Sequence, residues 1–148
     1  MELVDSLKSD WAYLFEGLHY GWCNPPYSET GKWLKKGWEE AQQGFCSVFL
    51  VPCPNGDLYM RDYVFGKASE IIFIQGRVAF EAGGDFTVKG KKGKDGKPDT
   101  PDKHYKKGDP VSGNTKGSCL IVFNRRYKGP TAISWVNRED MKNEGLNA

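Results

Sequence analysis

The spacing of hydrophobic residues along the chain predicts alternating helices and strands. Over residues 1–20, hydrophobic side chains recur every three or four positions, which predicts an amphipathic lead-in helix that covers the edge of a sheet. They are Leu3, Leu7, Trp11, Leu14 and Leu18. A short strand follows this segment. Ser28 or Thr30 is placed to cap a second helix that runs to about Gln43, with Gly44 as its stop.

Two further segments continue this alternation. Phe45 to Pro52 is a continuous apolar run, which is typical of a strand buried on both faces and favours a parallel sheet. Asp57 is placed to cap a helix over about 58–67, and Ile71 to Ile74 begin another strand. The order β-α-β-α-β over residues 21–80 predicts an α/β fold with a mixed, mostly parallel sheet flanked by helices.

The second half of the chain has a different pattern. Residues 81–117 are rich in Gly and Lys and predict a basic, flexible loop or hairpin. Cys119 to Phe123 and Ala132 to Val136 are separated by a turn, and they predict an antiparallel strand pair at the sheet edge over residues 118–136. The tail at 137–148 is polar, and we expect it to be ordered only in part.

Composition narrows the class of protein. At 148 residues and 39% hydrophobic content, the chain is long enough for a single domain with one core. It has no run near the ~18 apolar residues of a membrane span, and its start lacks the pattern of a signal peptide, so we expect a cytoplasmic protein. The four cysteines follow neither zinc-site spacing nor a disulfide framework, and no metal site is expected. A nucleophilic Cys23 would need His19 as its base and is disfavoured.

Residues 21–28, Gly-Trp-Cys-Asn-Pro-Pro-Tyr-Ser, suit the binding of an amino group. Each proline fixes its φ near about −65° and holds the preceding residue extended, so this turn is stiff. Neither proline has an N–H, so the turn offers carbonyl acceptors, and the Asn24 side chain adds another. The exocyclic amine of a flipped-out nucleobase would donate to Asn24 and to the Pro25 carbonyl, while the Tyr27 ring stacks on the base. For the quartet alone, an ordinary rigid turn before a helix is the alternative.

The quartet resembles the catalytic Asp/Asn-Pro-Pro-Tyr/Phe motif of amino-group DNA methyltransferases. Longer segments resemble the phage Dam-type adenine methyltransferase family. They are Trp22–Ser28, Gly31–Trp33, Phe73–Phe80 and Gly117–Phe123. These segments occur in the family's order, and the resemblance covers about residues 10–125. It implies a partial Rossmann-like methyltransferase sheet, with an antiparallel edge pair.

The resemblance also implies a role for each residue of the quartet. Asn24 and the Pro25 carbonyl would orient the adenine amine for attack on the methyl group of S-adenosylmethionine. Pro26 would keep the turn rigid, and Tyr27 would stack on the base. The implied function is a DNA adenine methyltransferase, or its catalytic half, that acts on double-stranded DNA. The alternative is a catalytically inactive, methyltransferase-derived phage protein that binds DNA or a host defence protein.

The part that binds S-adenosylmethionine in this superfamily, with its Gly-rich turn and acidic residue, is not found in the sequence. Only 23 residues precede Asn24, whereas a βαβ unit takes roughly 30 or more. Gly83 and Gly84 follow a strand but lead into lysine-rich sequence, which favours a solvated loop. No cofactor-binding residue is therefore predicted, which supports the inactive alternative. The strand before Asn24 would keep an open edge, covered by the lead-in helix or paired in a homodimer or with a second subunit.

The basic stretch at residues 89–107 holds eight lysines against three aspartates. Lysines interleaved with glycines are able to follow a phosphate backbone, and a solvated loop is an equally good interpretation. Strand-flanking arginines are better candidates for ordered phosphate contacts, with ordinary surface charge as their alternative. The predicted nucleic-acid contacts are Ser28, Arg77, Lys89, Lys91, Lys92, Lys94, Arg125 and Arg126.

Overall fold

A five-stranded mixed sheet organises the larger part of the molecule. The computed structural model describes residues 5–14, 20–54, 56–95, 98–111 and 116–145. The chain divides into two units, Met1–Arg77 with Lys116–Ala148 and, inserted between them, Val78–Thr115.

Strands outnumber helices within the described residues. The strands are β1 (Tyr20–Cys23), β2 (Cys46–Pro52), β3 (Glu70–Gln75), β4 (Phe80–Glu81), β5 (Phe86–Val88), β6 (Lys103–Tyr105), β7 (Pro110–Val111), β8 (Ser118–Phe123) and β9 (Ala132–Asn137). The helices are α1 (Trp11–Leu14), α2 (Thr30–Gln42) and α3 (Arg138–Gly145), with a 3-10 turn at Tyr27–Glu29 and a π-helix at Met60–Val64.

The sheet of the first unit has the strand order β1-β2-β8-β3-β9. β1 pairs in parallel with β2, and β9 pairs in parallel with β3. β8 lies between β2 and β3 and is antiparallel to both. The predicted α/β class, with a partial Rossmann-like mixed sheet and helices, is confirmed.

One detail of the predicted sheet is wrong. The segments at 119–123 and 132–136 do not pair with each other, because β8 inserts between β2 and β3 while β9 lies outside β3. Only β8 runs against the other four strands, so two pairings are parallel and two are antiparallel. The physical reason is visible in burial: β8 is buried along nearly its whole length, as a central strand must be, whereas β9 alternates half-buried and exposed residues, as an edge strand does.

Helix α2 packs closely on one face of the sheet. Leu34 of this helix is fully buried, as are Phe49 of β2 and Phe123 of β8, whose rings meet edge to face at 5.8 Å. Gly37 permits this close approach, since a Cβ at that position would overlap the Phe49 ring. Gly44 ends the helix with a φ of +103°, as predicted.

The predicted N-cap of α2 is wrong. The N-cap residue is Glu29, and its side chain makes no capping hydrogen bond. The Thr30 hydroxyl instead donates to the Tyr27 carbonyl at 3.0 Å. The preceding 3-10 turn places Ser28 and Thr30 outside the cap position.

The predicted lead-in helix over 1–20 is described only in part. Among its described residues, Trp11–Leu14 are helical and residues 6–8 form a turn. Leu3 and Leu18 lie outside the described residues. Trp11 anchors the segment, because its ring packs on Phe45 at 5.8 Å and its backbone N–H donates to the buried Glu40 carboxylate at 2.9 Å.

Two other helices differ from their predictions. The helix expected over 58–67 is mainly the π-helix Met60–Val64. The tail contains α3, and the Asn137 side chain accepts a hydrogen bond from Glu139 N at 2.9 Å at its start.

The second unit consists of two small antiparallel pairs. β4 pairs with β7, and β5 pairs with β6, where the rings of Phe86 and Tyr105 stack at 5.0 Å. The hairpin alternative for this basic segment is therefore present in the structure.

Candidate active site

The strand directions decide which loops share an edge of the sheet. β1, β2, β3 and β9 all run the same way, so the loops after them lie at one edge, called here the Asn24 edge. β8 runs the opposite way, and the turn after it, with Arg125 and Arg126, lies at the other edge, called here the Arg125 edge. Ligands of open α/β sheets bind beyond the carboxyl ends of the strands, which favours the Asn24 edge.

The prolyl corner, Asn24–Tyr27, directly follows β1. Asn24 and Pro26 are exposed, Pro25 is buried, and Tyr27 is 41% exposed. Pro26 has a φ of −55° and a ψ of 124°, so it is extended, and its carbonyl accepts a hydrogen bond from Glu29 N at 2.9 Å. The buried first proline and the 3-10 turn after it hold the corner rigid, while the side chains of Asn24 and Tyr27 are exposed.

Two hydrogen-bond acceptors of the corner have no partner among the described residues. They are the Asn24 side-chain oxygen and the Pro25 carbonyl. Partial burial raises the pKa of the Tyr27 phenol, so this ring is neutral at physiological pH. The corner therefore combines an exposed amide side chain with an exposed aromatic ring.

Cys23, the last residue of β1, is not activated as a nucleophile. Burial raises the pKa of its thiol to about 11, so it stays protonated at neutral pH. His19, the predicted base for it, lies outside the described residues. The disfavoured Cys23 hypothesis gains no support.

Arg77 and an unpredicted partner lie at the Asn24 edge, at the ends of β3 and β9. Arg77 is exposed, and its carbonyl accepts a hydrogen bond from Arg138 Nη1 at 2.7 Å. Arg138 begins α3 and also pairs with Glu139 at 2.5 Å. The sequence did carry a signal for this helix, because Asn137 followed by Glu139 and Asp140 is a typical helix start.

The chain matches the model of one known protein family. Residues 2–148 match the family model described as DNA N-6-adenine-methyltransferase (Dam). The chain belongs to this family. The membership expected from the prolyl corner and the later segments is confirmed.

One similar protein is a DNA N-6-adenine-methyltransferase of Escherichia phage T1. It is 25% identical over 108 residues, which make up 73% of this chain and 42% of that protein. The Dam-family chain thus spans less than half the length of this curated relative. No solved structure matches it.

The basic residues of the second unit are held on ordered backbone. Lys89 pairs with Asp102 at 2.7 Å, and this contact lowers the pKa of the Asp102 carboxyl. The exposed Lys91, Lys92 and Lys94 make no ion pair with any described residue. These three ammonium groups are free to meet phosphates.

The remaining predicted contacts divide between the two edges of the first unit. Ser28 is exposed next to the prolyl corner, at the Asn24 edge. Arg125 and Arg126 are exposed at the Arg125 edge, where Arg126 N donates to Asn124 Oδ1 at 3.0 Å. The structure therefore brings Ser28 and Arg77 to the Asn24 edge, whereas Arg125 and Arg126 lie at the opposite edge.

The described residues contain neither a metal-binding cluster nor a membrane-spanning helix. No group of three or more His, Cys, Asp or Glu residues there is placed to hold a metal ion. No helix in that part of the chain is long and apolar enough to cross a membrane.

Proposed function

We propose that this chain supplies the target-base site of a DNA N-6-adenine methyltransferase. The observation that carries the proposal is the prolyl corner, where Asn24 Oδ1 and the Pro25 carbonyl are unbonded among the described residues and stand beside the exposed Tyr27 ring. Its position at the carboxyl ends of the strands, in a chain of the Dam family, supports this role.

The corner acts by holding the adenine amine. The two N–H groups of that amine donate to Asn24 Oδ1 and the Pro25 carbonyl, and this orients the nitrogen lone pair away from the protein acceptors. The Tyr27 ring stacks on the flipped base and replaces the stacking lost in the duplex. S-adenosylmethionine supplies the methyl group when it is bound. With the donor bound, the amine nitrogen would gain a bond to the methyl carbon as that carbon's bond to the donor sulfur breaks, which leaves S-adenosylhomocysteine. The nitrogen would then lose a proton to water, so no basic side chain is needed beforehand.

The proposed substrate is double-stranded DNA. Arg77 and Ser28 lie at the Asn24 edge and are suited to phosphate contacts close to the flipped base. The second unit carries Lys91, Lys92 and Lys94, which are suited to further phosphate contacts. This function places the protein in the cytoplasm, with the DNA that it modifies.

β1 offers a surface for association with another chain. It is the end strand of the sheet within the described residues, and its Tyr20 and Trp22 side chains are 70% and 61% exposed. An unpaired strand edge with exposed aromatic side chains favours pairing with a further strand. A second copy or a second subunit at β1 is therefore part of the proposal.

Transfer of a labelled methyl group from S-adenosylmethionine to unmethylated mixed-sequence DNA tests the function. We expect label in N6-methyladenine, and a loss of about 100-fold or more in Asn24→Ala, because a positioned hydrogen-bonding group is removed. Asn24→Asp keeps a side-chain oxygen as acceptor and leaves the Pro25 carbonyl in place, so it should retain most activity. DNA binding without any label transfer, alone or with a second subunit, would instead support the inactive binding protein.

Salt dependence tests the DNA contacts of the second unit. Each phosphate contact contributes about one unit to the slope of log affinity against log salt. Replacing Lys91, Lys92 and Lys94 by Ala together should lower that slope by about two to three. Lys89→Ala is the matched control, because this side chain is already paired with Asp102. An unchanged slope in the triple variant removes the second unit from the DNA-binding surface.

A further inference from the structure

Two cysteines lie together at the Asn24 edge, where β2 ends and β8 begins. Val51 of β2 is paired with Cys119 of β8, and Cys53 follows two residues after Val51. The N–H of Cys53 donates to the Gly117 carbonyl at 2.8 Å, so the pairing continues for one more position beyond β2. Side chains two positions apart on an extended strand share a face of the sheet. The thiols of Cys53 and Cys119 therefore lie on the same face, on neighbouring strands.

The two sulfur atoms are in contact. The Cys119 S–H donates a hydrogen bond to Cys53 Sγ. Cys119 is fully buried in the hydrophobic core, whereas Cys53 packs against that core and stays partly exposed. Gly117 leaves room for the Cys53 side chain, since a Cβ at Gly117 would lie 3.2 Å from Cys53 Sγ. One thiol is thus accessible from solvent, and the other is held against it from inside.

The two thiols differ in reactivity. Burial raises the pKa of Cys119 to about 12, and the neighbouring Cys53 adds to this shift, so Cys119 keeps its proton. Burial also raises the pKa of Cys53, but the hydrogen bond from Cys119 acts in the opposite direction because it stabilises the Cys53 thiolate. An oxidant reacts with a thiolate that it can reach. Cys53 is therefore the thiol that is oxidised first.

The other two cysteines have different surroundings. Cys23 lies opposite Phe49 in the β1–β2 register. Cys46 begins β2 at the Arg125 edge, and its thiol donates to Asn124 Oδ1 at 3.4 Å. A buried cysteine of this kind is an ordinary small core residue. The contact between two thiols sets Cys53 and Cys119 apart.

A disulfide between Cys53 and Cys119 needs only a small movement of the backbone. Diagonal neighbours on antiparallel strands are roughly 7–8 Å apart at Cα, whereas a disulfide needs about 6.8 Å or less. Cys53 lies just after the end of β2 and Gly117 just before the start of β8, so the chain there can close this difference without breaking the strand pairs. We propose that Cys53 and Cys119 form an oxidation site, which a peroxide converts into a disulfide that joins β2 to β8.

The oxidation takes place in two steps. The Cys53 thiolate attacks one oxygen of hydrogen peroxide and breaks the O–O bond, which gives a sulfenic acid and a hydroxide that takes up the proton lost by Cys53. The Cys119 sulfur then bonds to the Cys53 sulfur, and the hydroxyl group leaves with the Cys119 proton as water. The two sulfurs lose two electrons, the peroxide gains them, and two water molecules form. Neither DNA nor a methyl donor takes part, so the site is independent of the proposed function.

Intact-mass spectrometry of the reduced protein, treated with hydrogen peroxide at mildly alkaline pH, tests the site. The disulfide should lower the mass by about 2 Da, for two lost hydrogens, and dithiothreitol should restore it. Two of the four thiols should become unreactive in a thiol titration. A non-reducing tryptic map should contain one linked species, between the peptides of Cys53 and Cys119.

Two variants show which thiols react. Cys53→Ser should abolish the loss of mass, and it is preferred to replacement of Cys119, which the core buries completely. Cys23→Ala is the matched control, because Cys23 is also partly exposed but is not one of the two thiols in contact. This variant should form the same link as the parent. Native circular dichroism confirms that both variants are folded.

Three outcomes would overturn the proposal. One is a protein that keeps all four thiols after treatment. Another is a gain of about 16 or 32 Da on Cys53 without a link, which would mean that Cys119 does not reach the oxidised sulfur. The third is a link that involves Cys23 or Cys46, or that joins two protein molecules, in place of the link between Cys53 and Cys119.

Discussion

Asn and Tyr side chains make different hydrogen bonds at the two edges of the five-stranded sheet. Asn124, at the Arg125 edge, accepts hydrogen bonds on its side-chain oxygen from Cys46 Sγ at 3.4 Å and Arg126 N at 3.0 Å. Asn24, at the opposite edge, has no partner among the described residues. Tyr127 is 42% exposed and donates its hydroxyl to Pro130 O at 2.8 Å, whereas the hydroxyl of Tyr27, 41% exposed, bonds to no described residue.

This contrast separates polar side chains that hold a turn together from polar side chains that have no partner among the described residues. At the Arg125 edge, Asn124 and Tyr127 use their polar groups to hold a loop together. At the Asn24 edge, proline geometry already fixes the backbone, so the polar groups of Asn24 and Tyr27 remain available. An exposed Asn or Tyr therefore indicates function only when the turn does not need it.

The largest expected difference between the edges concerns DNA binding by the two tyrosines. Tyr27→Ala should weaken binding of DNA by roughly 5- to 100-fold, because stacking of one base on an aromatic ring contributes about 1–3 kcal/mol. Tyr127→Ala should bind DNA as the parent does. Fluorescence anisotropy of labelled duplex DNA measures both, and Tyr27→Phe should bind normally. Equal loss in the two Ala variants would contradict the assignment of the corner.

The second difference concerns stability, and here the larger effect is expected at the Arg125 edge. Asn124→Ala should lower the free energy of unfolding by about 1–3 kcal/mol, because it leaves the buried Cys46 thiol and the Arg126 N–H without their acceptor. Asn24→Ala should change it by less than about 0.5 kcal/mol. Urea denaturation followed by circular dichroism distinguishes them. A destabilised Asn24→Ala would show that the corner amide is structural.

The third difference concerns the arginines. Arg77→Ala should lower the slope of log affinity against log salt by about one, as expected for one phosphate contact. Arg126→Ala, at the edge away from the corner, should leave the slope unchanged. Titrations of duplex DNA at several salt concentrations give both values. A reduced slope in Arg126→Ala would support the predicted phosphate contact of Arg126 and would mean that the DNA contacts both edges of the sheet.

The smallest expected effect is the alkaline behaviour of Cys23, beside the corner. Its pKa is raised from 9.0 to about 11 by burial, so the protonated thiol is favoured in the folded state. This contribution to stability is fully present below about pH 9 and is lost as the pH rises toward 11. Cys23→Ala should therefore show a smaller decline in urea midpoint between pH 8 and 10.5. Identical declines in parent and variant would mean that the thiol is not buried as described.

Local constraints made the prolyl corner and α2 predictable from sequence. Two consecutive prolines fix their own dihedral angles, and Gly44 is needed for a positive φ after the helix, whatever the rest of the chain does. The continuous apolar run of β2 likewise indicated a strand with neighbours on both sides. Each of these features is decided within a few residues.

Pairing and hydrogen-bond partners were not predictable in the same way. The pattern of β8 shows that it is buried, but not that its neighbours are β2 and β3 rather than β9. The edge on which Arg125 and Arg126 lie depends on that pairing. The bond from Arg138 to the Arg77 carbonyl joins positions 61 residues apart, and nothing in either local sequence specifies it.

The central position of β8 affects the order in which the molecule assembles during synthesis. β2 and β3 do not touch as paired strands, and each is joined to the other only through β8. Both of them leave the ribosome well before residues 118–123, with the whole inserted unit translated in between. The middle of the sheet therefore closes late, through contacts distant in sequence. Until then β2 is paired only on its β1 side and β3 has no neighbouring strand. Because β8 lies between β2 and β3, we expect an interval during synthesis in which the incomplete sheet depends on chaperones.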